Sequence, residues 1–551
     1  MSNADGRESM DYDVLVVGGG PAGLAAAIRL KRLAAKAGRD ISVCLIEKGA
    51  GIGAHILSGA VIDPGPLDAL LSDWREGVDV TPVAASRFYY LTARRGLRLP
   101  NALLPPEMRN RGGLILSLGA LCRRLARAAE GLGVEIYPGF AGVEPLYADG
   151  AVAGVATGDF GVAKDGRKKP GYAPGMDLKA KYTLFAEGAR GSLGRRLAAR
   201  FGLDRGADVA KYGLGIKELW ELAPEHRRPG LALHTAGWPL ANDTGGGLFV
   251  YHGAKGRCAV GMVVHLDYPN PFLSPFDEFQ RAKLHPLLRP MFAGGRRIGF
   301  GARVVSEGGW QSVPRLAFPG GALIGDDAGF LNLPKIKGVH NAVRSGMAAA
   351  EAAFAALAAG RAGDTLSAYE TAMRNGPAMA ELKTVRNAKP LWSRFGTLAG
   401  LALAGCDLWA EHLFGLSPFG TLHHLGSDRA ALKKAAEARP IVYPKPDGVV
   451  TFDRSSSLAL ANLRGEADQP VHLTLADPDV PVRRTLPDYG EPARLYCPAG
   501  VYEIVAGAKG PELRINAADC LHCKACDIKD PADNIVWTPP EGGSGPAYAD
   551  M

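Results

Sequence analysis

A chain of 551 residues, 47% hydrophobic and 22% charged, can bury a large core and hold two or three globular domains. Its net charge of +8 is not gathered into Lys/Arg blocks with interleaved aromatics, which argues against a nucleic-acid partner and leaves anionic lipid or an acidic protein surface. Eight cysteines without a paired framework, behind an N-terminus with no apolar leader, suit a reducing, bacterial cytoplasmic setting.

Residues 13–17 are an apolar, β-branched run leading into Gly18-Gly19-Gly20-Pro21-Ala22-Gly23 and an Ala/Leu-rich helix to about Ala37. Strand, glycine turn and helix in that order are the setting a G-x-G-x-x-G dinucleotide fingerprint requires. Gly18 permits the turn, Gly20 lets backbone amides approach a pyrophosphate, and Gly23 lets helix and strand pack closely. The helix N-terminus stabilises the phosphate charge. A second strand over 41–46 ends in Glu47-Lys48, where a carboxylate can hold both ribose hydroxyls. These features alone leave FAD and NAD open.

The small-residue loop 51–59 can lie against a flat ring, with Gly53, Ala54, Leu57, Ser58 and Gly59 as its contacts; His55 reads equally well as a packing residue. Leu67, Leu70, Leu71 and Trp74 share one helical face, either core or a surface dipping into lipid. Short strands and one helix (118–132) follow. Residues 183–188 read as a strand ending in Glu187-Gly188, and 323–329 as an apolar run ending in Gly325-Asp326. Both resemble accessory motifs of the glutathione-reductase type of FAD fold. That resemblance implies that Asp326 binds ribityl hydroxyls and that residues 338–342, from Gly338 through Asn341, open a helix whose amides face the flavin. Asp326 as a plain helix cap is the alternative.

Residues 211–305 carry strand-like runs. In Thr244-Gly245-Gly246-Gly247-Leu248-Phe249 the glycines either let amides approach a planar ligand or make an ordinary turn. Residues 395–406 are uncharged, a run too short for the about twenty that span a bilayer. With the aromatics that follow and basic flanks, 391–419 suits a helix lying in the membrane interface, with a buried core helix as the alternative.

Near the C-terminus, Cys520-Leu521-His522-Cys523-Lys524-Ala525-Cys526 places a thiolate at every third residue. Ferredoxins write Cys-x2-Cys-x2-Cys-x3-Cys-Pro around a [4Fe–4S] cluster, the last cysteine serving a second cluster. Here that last position is Asp530, so one cluster is expected, with Cys497 of Cys497-Pro498 as its fourth ligand. Structural zinc, which favours two separated Cys-x2-Cys knuckles, is the alternative. His522 and Lys524 read as solvent-facing spacers.

Together with Pro334-Lys335-Ile336-Lys337-Gly338 and Tyr443-Pro444-Lys445-Pro446-Asp447-Gly448, these motifs make the chain similar, nearly end to end, to the electron-transfer flavoprotein:ubiquinone oxidoreductases. The resemblance implies one FAD, one [4Fe–4S] cluster and a ubiquinone contact at Gly246 and Gly247. It implies monotopic attachment through 66–74 and 391–419, and electron flow from reduced electron-transfer flavoprotein to ubiquinone at the cytoplasmic face of a bacterial inner membrane. The expected fold is α/β and α+β: a discontinuous FAD-binding domain (1–74, 118–210, 306–375), an intertwined ubiquinone-binding domain (75–117, 211–305) and a C-terminal ferredoxin-like cluster domain (376–551). An FAD monooxygenase or prenyl reductase of the same fold is the runner-up, disfavoured by the four cysteines. Three positions depart from the family: Ala525 replaces a threonine, Asn341 stands where threonine is frequent, and Gly245 replaces an aromatic residue.

Overall fold

The computed structural model describes residues 7–57, 61–508 and 510–551, and the strand before the glycine turn lies at its centre. β1 (Ser9–Val17) is flanked in parallel by β2 (Val43–Glu47) and by β13 (Asp177–Phe185) from far along the chain. β8 (Glu135–Pro138) and β20 (Gly321–Leu323) extend the parallel ladder on its two sides, and β9 (Gly142–Ala148), β10 (Ala151–Thr157) and β19 (Ala317–Phe318) join it antiparallel. Val14 to Val17 are all buried, so both faces of β1 are covered, which is why it reads as an unbroken apolar run. One cover is α1 (Pro21–Lys36) packed on α6 (Val339–Ala358). Small residues bring these helices together: a Cβ on Gly346 would fall 2.2 Å from the Ala22 carbonyl oxygen.

The second sheet has seven strands in the order β18 (Arg296–Ser306), β14 (Tyr212–Glu221), β17 (Arg257–His265), β16 (Gly246–His252), β15 (Leu231–Gly237), β5 (Ala85–Leu91), β6 (Gly96–Leu99). All neighbours are antiparallel except β15 and β5. α5 (Pro275–Lys283) packs on this sheet, where Lys283 Nζ donates to both oxygens of the buried Glu218 at 2.9 and 2.7 Å. Smaller units are β3 (Val61–Ile62), β4 (Thr81–Pro82) and β7 (Leu114–Ile115), the hairpins β11 (Phe160–Val162)–β12 (Lys168–Ala173) and β22 (Tyr502–Gly507)–β23 (Gly510–Ile515), and the pair β21 (Leu473–Leu475)–β24 (Ile535–Trp537). The apolar core of the seven-stranded sheet runs without a break into the cysteine-bearing C-terminal region.

Two stretches expected at the membrane differ in outcome. α2 is short (Gly65–Leu70), and Leu67, Leu70 and Trp74 are buried in the core around β1. That face is therefore core, and the lipid contact expected of 66–74 is not made by it. α9 (Ala388–Phe414) is different. It breaks at Gly396, where Asn242 intrudes: the Asn242 carbonyl accepts from the Thr397 amide at 2.7 Å and its side-chain oxygen from the Leu398 amide at 2.9 Å. Beyond the break, Leu398 is 62% exposed and Phe414 71%, joined by Leu413 and, just past the helix, Leu416; Phe395, just before the break, is exposed as well. Among the described residues, no helix is long and apolar enough to cross a membrane.

Candidate functional site

A cavity runs between the glycine turn, the end of β2, the turn after β20 and the start of α6. Gly18 (φ +115°) faces the Ala186 carbonyl oxygen, which a Cβ would approach to 2.4 Å; at Gly20 a Cβ would meet only Ile56 Cδ1, at 4.0 Å. Both α1 and α6 begin at a glycine, Gly20 and Gly338, with no side chain capping their amides, so two helix N-termini aim free N–H groups at this cavity. Glu47 is fixed by accepting from the Gly19 and Gly49 amides at 2.9 and 2.8 Å. Asp326 is half-buried, with its Oδ1 shielded from solvent and unpartnered, and desolvation pushes its carboxyl up to about 7. Lys48 Nζ is likewise buried without a hydrogen bond; burial, then the charges of Lys524 and Arg303, bring it down to about 7. Uncapped amides for a pyrophosphate and an unpartnered carboxylate oxygen for a polyol are what a flavin dinucleotide needs, so the residues present fit FAD.

Not every expected contact faces this cavity. Glu187 and Gly188 line it, but the Glu187 carboxylate is taken up by the amides of Ser192, Leu193 and Gly194 at the start of α4 (Ser192–Phe201). Asn341 is fully buried and turned away, donating to the Phe330 carbonyl and accepting from Arg344; Gly338, Val339 and Ala342 line the cavity in its place. Gly53 lies against the Gly119 backbone, and the Ala54 carbonyl accepts from the Tyr548 amide, leaving His55, Ile56 and Leu57 on the wall. Ser58 and Gly59 lie outside the described residues. Gly23 packs on the carbonyl of Gly18, which a Cβ would approach to 2.1 Å.

The four C-terminal cysteines converge. All are buried, and Cys497 lies close enough to Cys520, Cys523 and Cys526 to raise the pKa of each, on top of the rise that burial causes. The His522 amide donates to Cys520 Sγ at 3.3 Å; the amides of Ala499, Gly500 and Val501 point at Cys497. The Tyr502 hydroxyl lies beside Cys526 with no other partner. Buried together, these four cysteines stay protonated on their own, and they become thiolates only with a cationic group bound among them. Sulfurs on one tetrahedral zinc lie about 3.8 Å apart, from Zn–S bonds of about 2.3 Å. Among the described residues no three of these sulfurs are all within 4.8 Å of one another. The wider cradle fits an iron–sulfur cube. His522 and Lys524 are not solvent-facing spacers: left-handed φ values of +55° and +65° turn both inward, and both are buried. Lys524 and Trp537 form part of the wall of the glycine-turn cavity itself.

A second, largely apolar cavity of about 660 Å³ lies between the seven-stranded sheet and α9, in the size range of small-molecule sites. Gly246 and Gly247 line it. Neither tolerates a side chain, since a Cβ would meet the carbonyl oxygens of Val263 at 2.1 Å and Thr235 at 2.0 Å, so backbone faces the space. Leu57, Arg303, Val305, Leu331 and Ile336 belong to both cavities and form a shared wall. At the far end the cavity is lined by Leu97, Leu103, Leu398 and Trp409, and the first three of these are exposed apolar residues.

Comparison with known proteins accounts for all three features. The family described as electron transfer flavoprotein-ubiquinone oxidoreductase, 4Fe-4S, matches residues 448–549; ETF-QO, ubiquinone-binding, matches 212–305; and an NAD(P)-binding Rossmann-like domain matches 16–72. The electron transfer flavoprotein-ubiquinone oxidoreductase of Pseudomonas aeruginosa is 52% identical over 99% of this chain and 100% of its own length. The chain belongs to the electron transfer flavoprotein-ubiquinone oxidoreductase family. The mitochondrial member from Rattus norvegicus is 49% identical over 99% of this chain and 90% of its own. A geranylgeranyl bacteriochlorophyll reductase-like structure from Thermoplasma acidophilum shares the fold, with TM-score 0.50 and 22% identity over 73% of this chain and 87% of that one.

For this family member, sequence reasoning missed several residues that the structure gathers at the cavities. Arg303 and Glu307 come from β18 and its continuation, and a signal existed: Arg303, Val305 and Glu307 alternate onto one face of a strand, where polar residues on a buried side are unusual. Lys217 of β14 sits opposite glycines on both sides, Gly261 and Gly301. It is buried at the second cavity without hydrogen bond or ion pair among the described residues, and burial brings it down to about 7.

Proposed function

We propose that the glycine-turn cavity holds FAD, that Cys497, Cys520, Cys523 and Cys526 hold one [4Fe–4S] cluster, and that Gly246 and Gly247 contact the quinone head group in the second cavity. The chain is an oxidoreductase that passes electrons from reduced electron transfer flavoprotein to ubiquinone. When bound, FAD and the cluster supply the electron carriers between these two partners. The protein's own part is to hold and tune them. The N-termini of α1 and α6 place positive potential along the flavin site, Asp326 accepts from its polyol, and the amides at Cys497 and Cys520 offset thiolate charge. The supporting observation for electron exchange is the shared wall: Lys524, between two cluster cysteines, lines the flavin cavity.

In this reading residues 1–74, 118–210 and 306–375 serve the flavin, 75–117 and 211–305 the quinone, and 376–551 the cluster. The exposed apolar residues of α9, with Leu97 and Leu103 across the mouth of the second cavity, rest in the outer layer of the bilayer at the cytoplasmic face. A quinone tail then enters from lipid while the head group reaches the wall shared with the flavin site. The four converging cysteines have no place in a monooxygenase or prenyl reductase of the same fold. Stepwise dithionite titration of the full protein, followed by absorbance and low-temperature EPR, tests the reading. One flavin and one reducible cluster per chain are expected, and zinc in place of iron would overturn it.

A further inference from the structure

Reducing a quinone to a quinol takes two protons as well as two electrons, and a cavity that opens among apolar side chains offers no water to supply them. One side of the second cavity is not apolar. Glu307, fully buried, lines it, and no donor reaches either carboxylate oxygen with hydrogen-bond geometry. Its place is made by Gly213, where a Cβ would fall 2.1 Å from Glu307 Oε1. Beside it His265 Nε2 is 3.6 Å from that same oxygen. His265 in turn abuts the glycine run: its amide donates to the Gly245 carbonyl at 3.0 Å, and a Cβ on Gly245 would fall 2.2 Å from His265 Nδ1. Glu307 is therefore next to the backbone assigned to the quinone head group.

From Glu307 a line of polar atoms leads out. Lys389 Nζ of α9 is 3.3 Å from Glu307 Oε2 and 3.1 Å from Asp267 Oδ1. Asp267 Oδ2 accepts from the hydroxyl of Ser393 at 2.6 Å, and Ser393 is exposed. The deeper side of the network is closed by Lys211, 3.7 Å from the part-buried Asp267 and 3.1 Å from the buried Asp428. Lys217, a buried cation in the lining of the cavity itself, has no hydrogen bond or ion pair to such a network among the described residues.

We propose that Glu307 is the proton-delivering residue for the quinone, refilled from solvent through Ser393, Asp267 and Lys389; this rests on the quinone reading of the second cavity. The Glu307 O–H bond breaks as an O–H bond forms on a quinone oxygen. In one concerted shift the Lys389 ammonium gives an N–H proton to that carboxylate while Asp267 passes to Lys389 a proton from the Ser393 hydroxyl, which water refills, so that Lys389 ends as an ammonium and Asp267 ionised. Two such passes, with the two electrons the oxidoreductase reaction delivers, give the quinol. The charge environment agrees. Burial pushes the Glu307 carboxyl up to about 7 against the opposing pull of Lys389, with Asp267 and Asp428 adding to the rise. His265 is held neutral by burial, and Asp267 stays ionised beside Lys389, His265 and Lys211. A group near 7 both holds and releases a proton at working pH.

The test uses the full chain with its cofactors, reduced by stoichiometric dithionite and mixed in a stopped-flow instrument with a short-tailed ubiquinone or with ferricyanide, which accepts electrons without protons. Glu307→Gln is expected to slow the quinone arm about a hundredfold, the low end of what a positioned proton donor contributes, and to leave the ferricyanide arm unchanged. The wild-type quinone rate falls as pH rises through about 7, where Glu307 loses its proton, and this fall is absent from E307Q. Glu307→Asp restores part of the rate. Without turnover, an infrared pH titration of the oxidised protein shows a carboxylic acid band disappearing near pH 7 that E307Q lacks. Ser393→Ala, at an exposed position, slows the quinone arm alone and serves if E307Q fails to fold. Wild-type quinone rates in both variants, or equal slowing of both arms, overturn the proposal. A wild-type chain that reduces ferricyanide but no quinone overturns the quinone reading, and the proposal with it.

Discussion

The ammonium of Lys524 stands 4.5 Å from the centre of the Trp537 indole. Lys48 approaches the same ring at 4.8 Å, and burial brings the two lysines down to about 8 and about 7. One ring thus faces two desolvated cations and closes the flavin cavity where the cysteine loop meets it. Contact of an aromatic face with a desolvated ammonium contributes about 2 kcal/mol, and removing a large buried ring costs about 3–5 kcal/mol. Trp537→Ala is expected to lose stability in that range and to shed flavin on gel filtration. Denaturant midpoints and the flavin-to-protein absorbance ratio measure both effects; an unchanged midpoint would show the ring to be a passive wall.

Asp326 offers a carboxylate oxygen with nothing in the protein to satisfy it. A hydrogen bond to a charged group contributes about 1.5–3 kcal/mol, so Asp326→Ala is expected to weaken FAD binding about ten- to a hundredfold, read by equilibrium dialysis of flavin fluorescence. The sign of the pH effect follows from the raised carboxyl. Below about 7 it carries a proton, and above it both oxygens accept. Wild-type affinity should rise with pH through that value, and the Asp326→Asn variant should show no such step.

The Tyr502 hydroxyl beside Cys526 and the methyl of Ala525, buried between Cys523 and Cys526, make opposite predictions for the cluster. Hydrogen bonds to cluster sulfurs raise the reduction potential. One neutral bond at about 1 kcal/mol corresponds to on the order of 40 mV for one electron. Tyr502→Phe should lower the potential by about that amount, and Ala525→Thr should raise it. EPR-monitored redox titration distinguishes the two, and shifts of the same sign would refute the hydrogen-bond account.

The exposed apolar residues beyond the break in α9 predict membrane affinity without a membrane span. Changing Leu413, Phe414 and Leu416 together to serine should reduce co-flotation with anionic vesicles more than tenfold, since each buried apolar side chain contributes about 1.5–3 kcal/mol. Reduction of a water-soluble quinone analogue should be unaffected, and retained flotation would place the lipid contact elsewhere.

Much of this arrangement is written locally in the chain. A glycine turn between strand and helix, or thiols at every third residue, declare their geometry because backbone spacing alone sets it. What local pattern leaves open is direction. The apolar face of Leu67, Leu70 and Trp74 reads the same for core and for lipid, and only the covering layers around β1 decide. His522 and Lys524 look like surface spacers until their left-handed backbone turns them inward. Asn341 sits at the right helix end, yet its side chain is claimed by Phe330 and Arg344. Arg303 and Glu307 become visible once the strand's alternation is followed past its apolar residues.

The partition built from Leu57, Arg303, Val305, Leu331 and Ile336 has a consequence for engineering. Any replacement in it reshapes two chambers at once, so acceptor preference is hard to adjust there without disturbing the prosthetic group next door. Ala402, Cys406 and Trp409, on the opposite lining from α9, border one chamber only. A library aimed at longer, shorter or chemically altered acceptors should begin with those three positions.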